Sequence, residues 1–573
     1  MLTNRRKVLV GAGGLMLVAG SGLGFAERAR ARPRLKLGPR QQERLNVLLI
    51  VTDQERHGSL LPRALQLPNR DRLYARATRF SNMNSISGLC SIARGNIYTG
   101  QHYQHNGVYE NVPVPFAHDL YPDIATLGTL MQDAGYETAY FGKWHLTNLP
   151  PTEIGTDRMR DLFQSYGFDI SNQPGEVEGA QQGYAKDAYT AASAAAYIRS
   201  RGDAERPWFA SVNLLNPHDI MFFLATQRQY DTYVHLPFAD LQLLPEPTDP
   251  LYQEDLGLAL PPNFGSAGDI AAPAAHHLYR IANDVGLGGI PDDDLDAWRR
   301  YENYYLNCLR DVDRQIGVVL NAMDAAGAWS NTIVVFTSDH GEMSGAHGLR
   351  GKGNVIYREN ANVPFAIVHP DVKTDCDTAA LASHIDIAPT LLAFASVSAA
   401  VRAEQAPWLK GRDLAIAMGS GAERTFDAAG RSGVLYQWDS RIYGSPDAAQ
   451  KAAEAFKHQG LIRAWKLFRG PVLDGLRNRH GMRGAFDGRW KFARYFRPNE
   501  HNKPGNLDDL RKLNDLELYD TLADPMERLN IAGRQEVEVE LLRMSTLTNR
   551  LIDDEVGPED VDELPGPSFL WNA

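Results

Sequence analysis

The run Asn46-Val-Leu-Leu-Ile-Val-Thr52 has no polar residue between Val47 and Val51. A strand with one face in water alternates apolar and polar side chains. An unbroken apolar run reads instead as a strand buried on both faces, the kind found in parallel sheets covered by helices on either side. Similar runs return along the chain with helical patterns between them. Leu127 to Ala134 is helical, Tyr136 to Phe141 strand-like, Lys186 to Arg199 an alanine-rich helix and Trp208 to Leu215 a strand. Leu295 to Ala325 has amphipathic helical spacing and Asn331 to Thr337 is another apolar strand. Pro364 to His369 and a helix around Ile385 to Phe394 complete the alternation. The repetition predicts one large α/β domain over residues 45–420, a mixed, mostly parallel sheet sandwiched by helices. Ile220 to Asp294, rich in Pro and Asp, reads as insertions over the sheet. From about Gly433 the pattern changes to short strands at Val434 to Trp438, Met482 to Phe486 and Trp490 to Phe496, with Asp487-Gly488 as a hairpin turn. That predicts a smaller C-terminal α+β domain and acidic tail over residues 421–573.

Charge excludes one class of function. The 573 residues carry 59 Lys and Arg against 70 Asp and Glu, a net charge of −11. No basic block offers the positive face that a nucleic acid needs, although a locally positive pocket can still take a small anion. The three cysteines, Cys90, Cys308 and Cys376, form neither a disulfide framework nor a zinc-knuckle spacing. Residues 1–31 read as an address rather than as fold. Arg5-Arg6 and the spacer Lys7 precede a glycine-rich stretch without a charge, Val8 to Phe25, and Ala29-Arg30-Ala31 follows. This resembles a twin-arginine signal peptide, followed by a linker at 32–44. It predicts export by the twin-arginine machinery to the periplasm or beyond.

Ligands of open α/β sheets sit beyond the carboxyl ends of the strands, and four of those ends carry ionisable groups. They are Thr52-Asp53-Gln54, Gly142-Lys143-Trp144-His145, Asn216-Pro217-His218-Asp219 and Ser338-Asp339-His340-Gly341. Asp53, Gln54, Asp339 and His340 together make a divalent-metal cage. Oxygen donors suit Ca2+ or Mg2+, and an imidazole nitrogen admits Mn2+. Arg94, Lys143, His145, His218 and Lys352 supply cationic groups for a tetrahedral oxyanion. The helix-compatible run after Cys90 places that residue near a helix N-terminus, where negative charge is favoured.

These residues resemble the formylglycine-dependent sulfatase family of the alkaline phosphatase superfamily. The family signature is Cys or Ser-x-Pro-x-Arg followed by Thr-Gly, and Cys90-Ser-Ile-Ala-Arg94 with Thr99-Gly100 matches it except at Ile92. Asp339-His-Gly-Glu342, His347, Lys352, His384-Ile-Asp-Ile-Ala-Pro-Thr390, Glu517-Leu-Tyr-Asp520 and Asp524-Pro525 resemble further family landmarks. The likeness spans residues 45–530 in the expected order.

The resemblance implies an alkaline phosphatase-like fold and hydrolysis of a small or carbohydrate sulfate ester to alcohol and inorganic sulfate. It implies that a formylglycine-generating enzyme oxidises Cys90 to an aldehyde whose hydrate is the nucleophile. A thiolate would keep the sulfuryl group as a stable adduct, whereas a diol oxygen is freed when its neighbour collapses to the carbonyl. The divalent metal, Ca2+ before Mn2+ or Mg2+, lowers the hydrate's pKa. Arg94 holds the hydrate, Lys143 and His145 bind sulfate and take the proton on collapse, and His218 and Lys352 serve the leaving oxygen. Ile92 departs from the recognition sequence of the modifying enzyme, where the family has Pro or Ala. Two other readings of the same site therefore stand beside the sulfatase: a phosphonate monoester or phosphodiester hydrolase, and a non-catalytic oxyanion- or glycan-binding relic.

Overall fold

The computed structural model describes residue 35 and residues 44–557, apart from 113–118, 122, 149–154, 173–178, 203–204, 235–243, 266–271, 373–374, 420–424, 440–477 and 499. The signal peptide expected at 1–31, most of the linker at 32–44 and the acidic end of the tail lie outside the described residues. Among the described residues, no helix is long and apolar enough to cross a membrane.

Eight strands form the main sheet: β1 (Asn46–Asp53), β2 (Thr78–Asn84), β3 (Glu137–Gly142), β4 (Ile170–Asn172), β5 (Trp208–Pro217), β6 (Thr332–Ser338), β7 (Phe365–Val368) and β8 (Cys376–Ser383). Their order is β4-β3-β5-β1-β6-β7-β2-β8. β1 runs parallel to both neighbours, β5 and β6, and β3 runs parallel to β5, while β7 is antiparallel to β6 and β2. The expected mixed, mostly parallel sheet is what the chain forms.

The continuous apolar run has its physical reason here. Val47, Leu49 and Val51 enter the core on one face and Leu48 and Ile50 the core on the other, all fully buried. The second face is covered by Ala191, Ala194 and Ile198 of the Gln182–Arg199 helix and by Val312, Ile316 and Leu320 of the Leu295–Ala325 helix. The first packs against Ile97, Leu130 and Leu391 from three other helices. Each such side chain contributes roughly 1.5–3 kcal/mol. Three strands escaped the pattern. β2 mixes Arg79, Ser81 and Asn82 with its apolar residues, β8 starts Cys-Asp-Thr at the sheet edge, and β4 has only Ile170-Ser-Asn172. Each lies toward a sheet margin, where the burial that produces a clean pattern is incomplete.

The smaller sheet is antiparallel, β12 (Asp515–Asp520), β11 (Trp490–Phe496), β10 (Gly481–Phe486) and β9 (Val434–Trp438) in that order. Leu435, Phe492 and Leu518 on one face meet Leu541, Met544 and Ile552 of the Glu538–Glu555 helix. The other face, with Tyr436, Met482 and Tyr495, packs on Leu89, Ile92 and Met343 of the larger body. Between Ile220 and Asp294 the described residues form short helices and loops without a strand of either sheet.

β3 passes into the Lys143 loop through Gly142, at φ +90°. A Cβ there would stand 1.9 Å from the Asn213 carbonyl oxygen on β5. Gly155 has φ +74° but nothing within 4 Å of an added Cβ. Gly142→Ala should therefore lower the unfolding free energy by at least about 2 kcal/mol, and Gly155→Ala by clearly less. Thermal midpoints of the two variants check this; equal midpoints would show that contact with β5 does not matter.

Candidate active site

The carboxyl ends of β1, β3, β5 and β6 bring Asp53, Lys143, His218 and Asp339 to one edge of the sheet. The Cys90–Thr99 helix arrives with Cys90 as its first residue. Ser91 fixes that helix start: its hydroxyl donates to the His145 carbonyl at 2.6 Å and its amide donates to Asn111 Oδ1 at 3.1 Å. His145 lies in the same loop as Lys143, buried, with a left-handed backbone at φ +58°.

Among the described residues, ligand atoms of Asp53, Cys90, Asp339 and His340 all lie within 4.8 Å of one another. Cys90 Sγ is 2.7 Å from Lys352 Nζ, 3.2 Å from His340 Nε2 and 3.7 Å from Asp53 Oδ1. Lys143 Nζ pairs with Asp53 Oδ2 at 2.8 Å. Arg94 is fully buried and turned onto the carboxylates, 3.0 Å from Asp339 Oδ2 and 3.3 Å from Asp53 Oδ2. It also donates to the Lys143 carbonyl at 3.0 Å and to Asn213 Oδ1 at 3.2 Å. Nine of the ten expected site residues thus meet at the cluster, with Gln54 reaching it through its backbone amide and His218 through Cys90 and Asp53, while His145 is tied to it by its carbonyl bond to Ser91. Arg94 meets the two carboxylates and the Lys143 loop, which is a bracing position as well as one beside Cys90.

Electrostatics follow from crowding charges out of water. Burial alone raises the Asp53 carboxyl, but the neighbouring Lys143, with Lys352 and Arg94, outweighs it and holds that group well below its usual range. Burial and the neighbouring Asp53 charge push Asp339 up to about 6. Burial and the Asp53 charge push the Cys90 thiol up, yet Lys143, Lys352 and His340 hold it well below the ordinary thiol range. Burial, with Lys352 and Lys143 alongside, lowers His218 to about 4, so its imidazole is neutral at neutral pH.

The residues fit a divalent cation. Two carboxylates face one cluster, and one of them resists ionising without added positive charge. Gln54 Oε1 is buried with no hydrogen-bond partner among the described residues. His340 Nδ1 lies 3.0 Å from the Gly341 carbonyl, and as the donor there it leaves Nε2 to the cluster as a lone pair. Three oxygens and one nitrogen are donors for a hard or borderline ion.

Several supporting residues carried no motif that marked a role. Asn213 accepts from Arg94 and from the Tyr98 hydroxyl, the latter at 2.6 Å. Asp187 accepts from the amides of Leu215 and Asn216, at 2.6 and 2.8 Å, just before His218. A polar residue inside an apolar strand was the one available signal for Asn213. Asp187 sits on a helix far away in sequence and offered none. His347, a motif residue, stacks on Tyr357 at 3.6 Å between ring centroids and meets Asn263 at 3.0 Å.

A protein-family model described as Sulfatase matches residues 45–397. The "Uncharacterized sulfatase YidJ" of Escherichia coli (strain K12) is 30% identical over 382 residues, covering 62% of this chain and 68% of that protein. An N-acetylglucosamine-6-O-sulfatase of Bacteroides thetaiotaomicron is 28% identical over 407 residues, covering 63% and 69%. In fold, the phosphonate monoester hydrolase of Agrobacterium radiobacter matches with a TM-score of 0.56 at 21% identity, over 90% of this chain and 96% of that one.

Asp53→Ala and Asp339→Ala should each lose bound divalent metal and activity, since a hard ion depends on anionic oxygens and the cluster has only these two carboxylates. Elemental analysis of the purified variants checks this, and full occupancy in both would sink the assignment.

Proposed function

From a chain that belongs to the sulfatase family and is a sulfuric ester hydrolase, we propose that the nucleophile derives from Cys90 as formylglycine. We propose also that a divalent cation, Ca2+ first, is held by Asp53, Gln54, Asp339 and His340. The observation that carries this reading is Cys90 at the start of a helix, 2.7 Å from Lys352 Nζ and beside the carboxylate pair. A cation there supplies neutralising charge for sulfuryl oxygens, and a hydrated aldehyde at position 90 supplies an oxygen nucleophile that can be regenerated.

The chain's own residues do the rest. Arg94 braces both carboxylates against their mutual repulsion. Lys143, paired with Asp53, and Lys352 present ammonium groups to the oxyanion. His145 joins Lys143 in binding sulfate. His218, neutral above about pH 4, serves the leaving oxygen as a hydrogen-bond donor rather than as a standing cation. The N-acetylglucosamine-6-O-sulfatase among the relatives makes a sulfated carbohydrate the substrate class we favour.

Ile92 bears on modification, not on the helix. It is the third residue of the Cys90–Thr99 helix, and the first internal bond runs from the Ala93 amide to the Leu89 carbonyl. Proline in that first turn is tolerated because no helical bond uses its N–H. The isoleucine side chain fills the core shared with the smaller sheet. Ile92 thus has a packing role at the position where the family signature carries the proline that the formylglycine-generating enzyme recognises.

Cys90→Ala should abolish turnover of a nitrophenyl sulfate while leaving the fold and metal content intact; wild-type turnover would overturn the formylglycine reading. Ile92→Pro should raise both conversion, read by mass analysis of the Cys90 peptide, and turnover. Comparing kcat/KM on sulfate and phosphonate esters tests the substrate reading, and preference for the phosphonate would favour the hydrolase alternative.

We further propose export through the twin-arginine machinery to the periplasm or beyond, on Arg5-Arg6 ahead of the glycine-rich stretch. Lys in place of both arginines should strand the protein in the cytoplasm, and unchanged periplasmic yield after fractionation would reject this route.

A further inference from the structure

Glu342 belongs to the Asp339-His-Gly-Glu342 stretch and has so far been given no task. It is fully buried. Its Oε2 accepts a hydrogen bond from the Gln54 side-chain Nε2. Its Oε1 accepts from two backbone amides, Ser344 at 2.9 Å and Gly351 at 2.7 Å. Gly351 immediately precedes Lys352. We propose that Glu342 is a positioning residue that selects which end of the Gln54 amide faces the Asp53, Asp339 and His340 cluster. The inference rests on the cation site proposed above.

The argument is one of donors and acceptors. A glutamine amide is nearly the same shape after a half-turn, so its hydrogen-bond partners alone decide whether oxygen or nitrogen points a given way. A carboxylate only accepts. Three N–H groups converge on Glu342, one of them from Gln54, so the nitrogen of that amide is claimed by Glu342. The oxygen is left at the opposite end of the amide, where Oε1 is buried with no partner among the described residues, and the Gln54 backbone N–H donates to Asp339 Oδ1 at 3.1 Å beside the cluster. The same carboxylate anchors the chain one residue before Lys352, so ligand orientation and the ammonium beside Cys90 share one support.

Glu342→Gln removes the selection at little cost in shape. The two backbone amides hold the oxygen of the new side chain, because turning it over would set NH2 against two N–H donors. Its NH2 then faces Gln54, whose amide must turn and present N–H to the cation. Calorimetric titration of the chelator-treated, full-length protein with CaCl2 and with MnCl2 tests this. We expect affinity to fall roughly 10- to 100-fold in Glu342→Gln, with no further fall when the same change is made in Gln54→Ala. Unchanged affinity in Glu342→Gln overturns the inference, and so does an equal fall in the Gln54→Ala background, since Glu342 would then act by another route. Unchanged affinity in Asp339→Ala under the same conditions would instead overturn the cation site itself. A crystal of the wild-type protein with Mn2+, the ion located by its anomalous signal, gives an arm that does not depend on any variant folding. Gln54 Oε1 against the ion with Nε2 on Glu342 is expected, and a Gln54 side chain turned away from the ion overturns the inference.

Discussion

Two carboxylates at the ends of adjacent strands are the constraint to which the rest of the site answers. β1 and β6 are neighbours in register, so Asp53 and Asp339 must leave the sheet side by side, both fully buried. Their repulsion in that setting is severe, and Asp339 shows it in a carboxyl pushed up to about 6. Arg94 answers from a helix and Lys143 from the end of β3. Removing one partner from a buried ionic group of this kind costs roughly 3–5 kcal/mol, because the charge left behind has no water to turn to. The cations proposed to meet an oxyanion and the cations that make the acids tolerable are therefore partly the same residues.

That economy extends to the packing. The helix carrying Cys90 is held by Ser91 to the His145 loop and by Leu89 and Ile92 to the smaller sheet. The smaller sheet is tied back to the main body by buried polar contacts. Arg431 pairs with Asp386 and with Glu555, and His102 pairs with the same Glu555 at 3.0 Å. The Tyr103 hydroxyl, just beyond the Cys90 helix, reaches Asp439 at 2.7 Å. The position of Cys90 thus depends on residues contributed from both sheets.

Much of this was legible in the chain. The run from Val47 to Val51 announced a doubly covered central strand, since both of its faces meet helices. The polar residues just beyond β1, β3, β5 and β6 announced the site, because a parallel sheet puts all such ends on one side. β2, β4 and β8 were not legible, because strands toward the sheet margin mix polar and apolar residues. The residues behind the site were hidden for another reason. Asp187 and Asn213 act by accepting hydrogen bonds from backbone amides and side chains, and such work leaves no spacing rule; Glu342 was in view as part of Asp339-His-Gly-Glu342, but the donors it accepts from were not.

The sequence by itself determined the class of fold, the edge of the sheet where chemistry collects and the residue types that collect there. Those follow from local facts: apolar periodicity, strand direction and the identity of the residue after each strand. Only the tertiary structure decided that Arg94 lies on both carboxylates, that Ile92 fills the core between the two sheets, and that Glu342 holds the nitrogen end of the Gln54 amide. These are matters of which group meets which across hundreds of residues. Hydrogen-bond direction and desolvation act only once the groups are brought within a few ångströms, and no pattern along the chain encodes that distance.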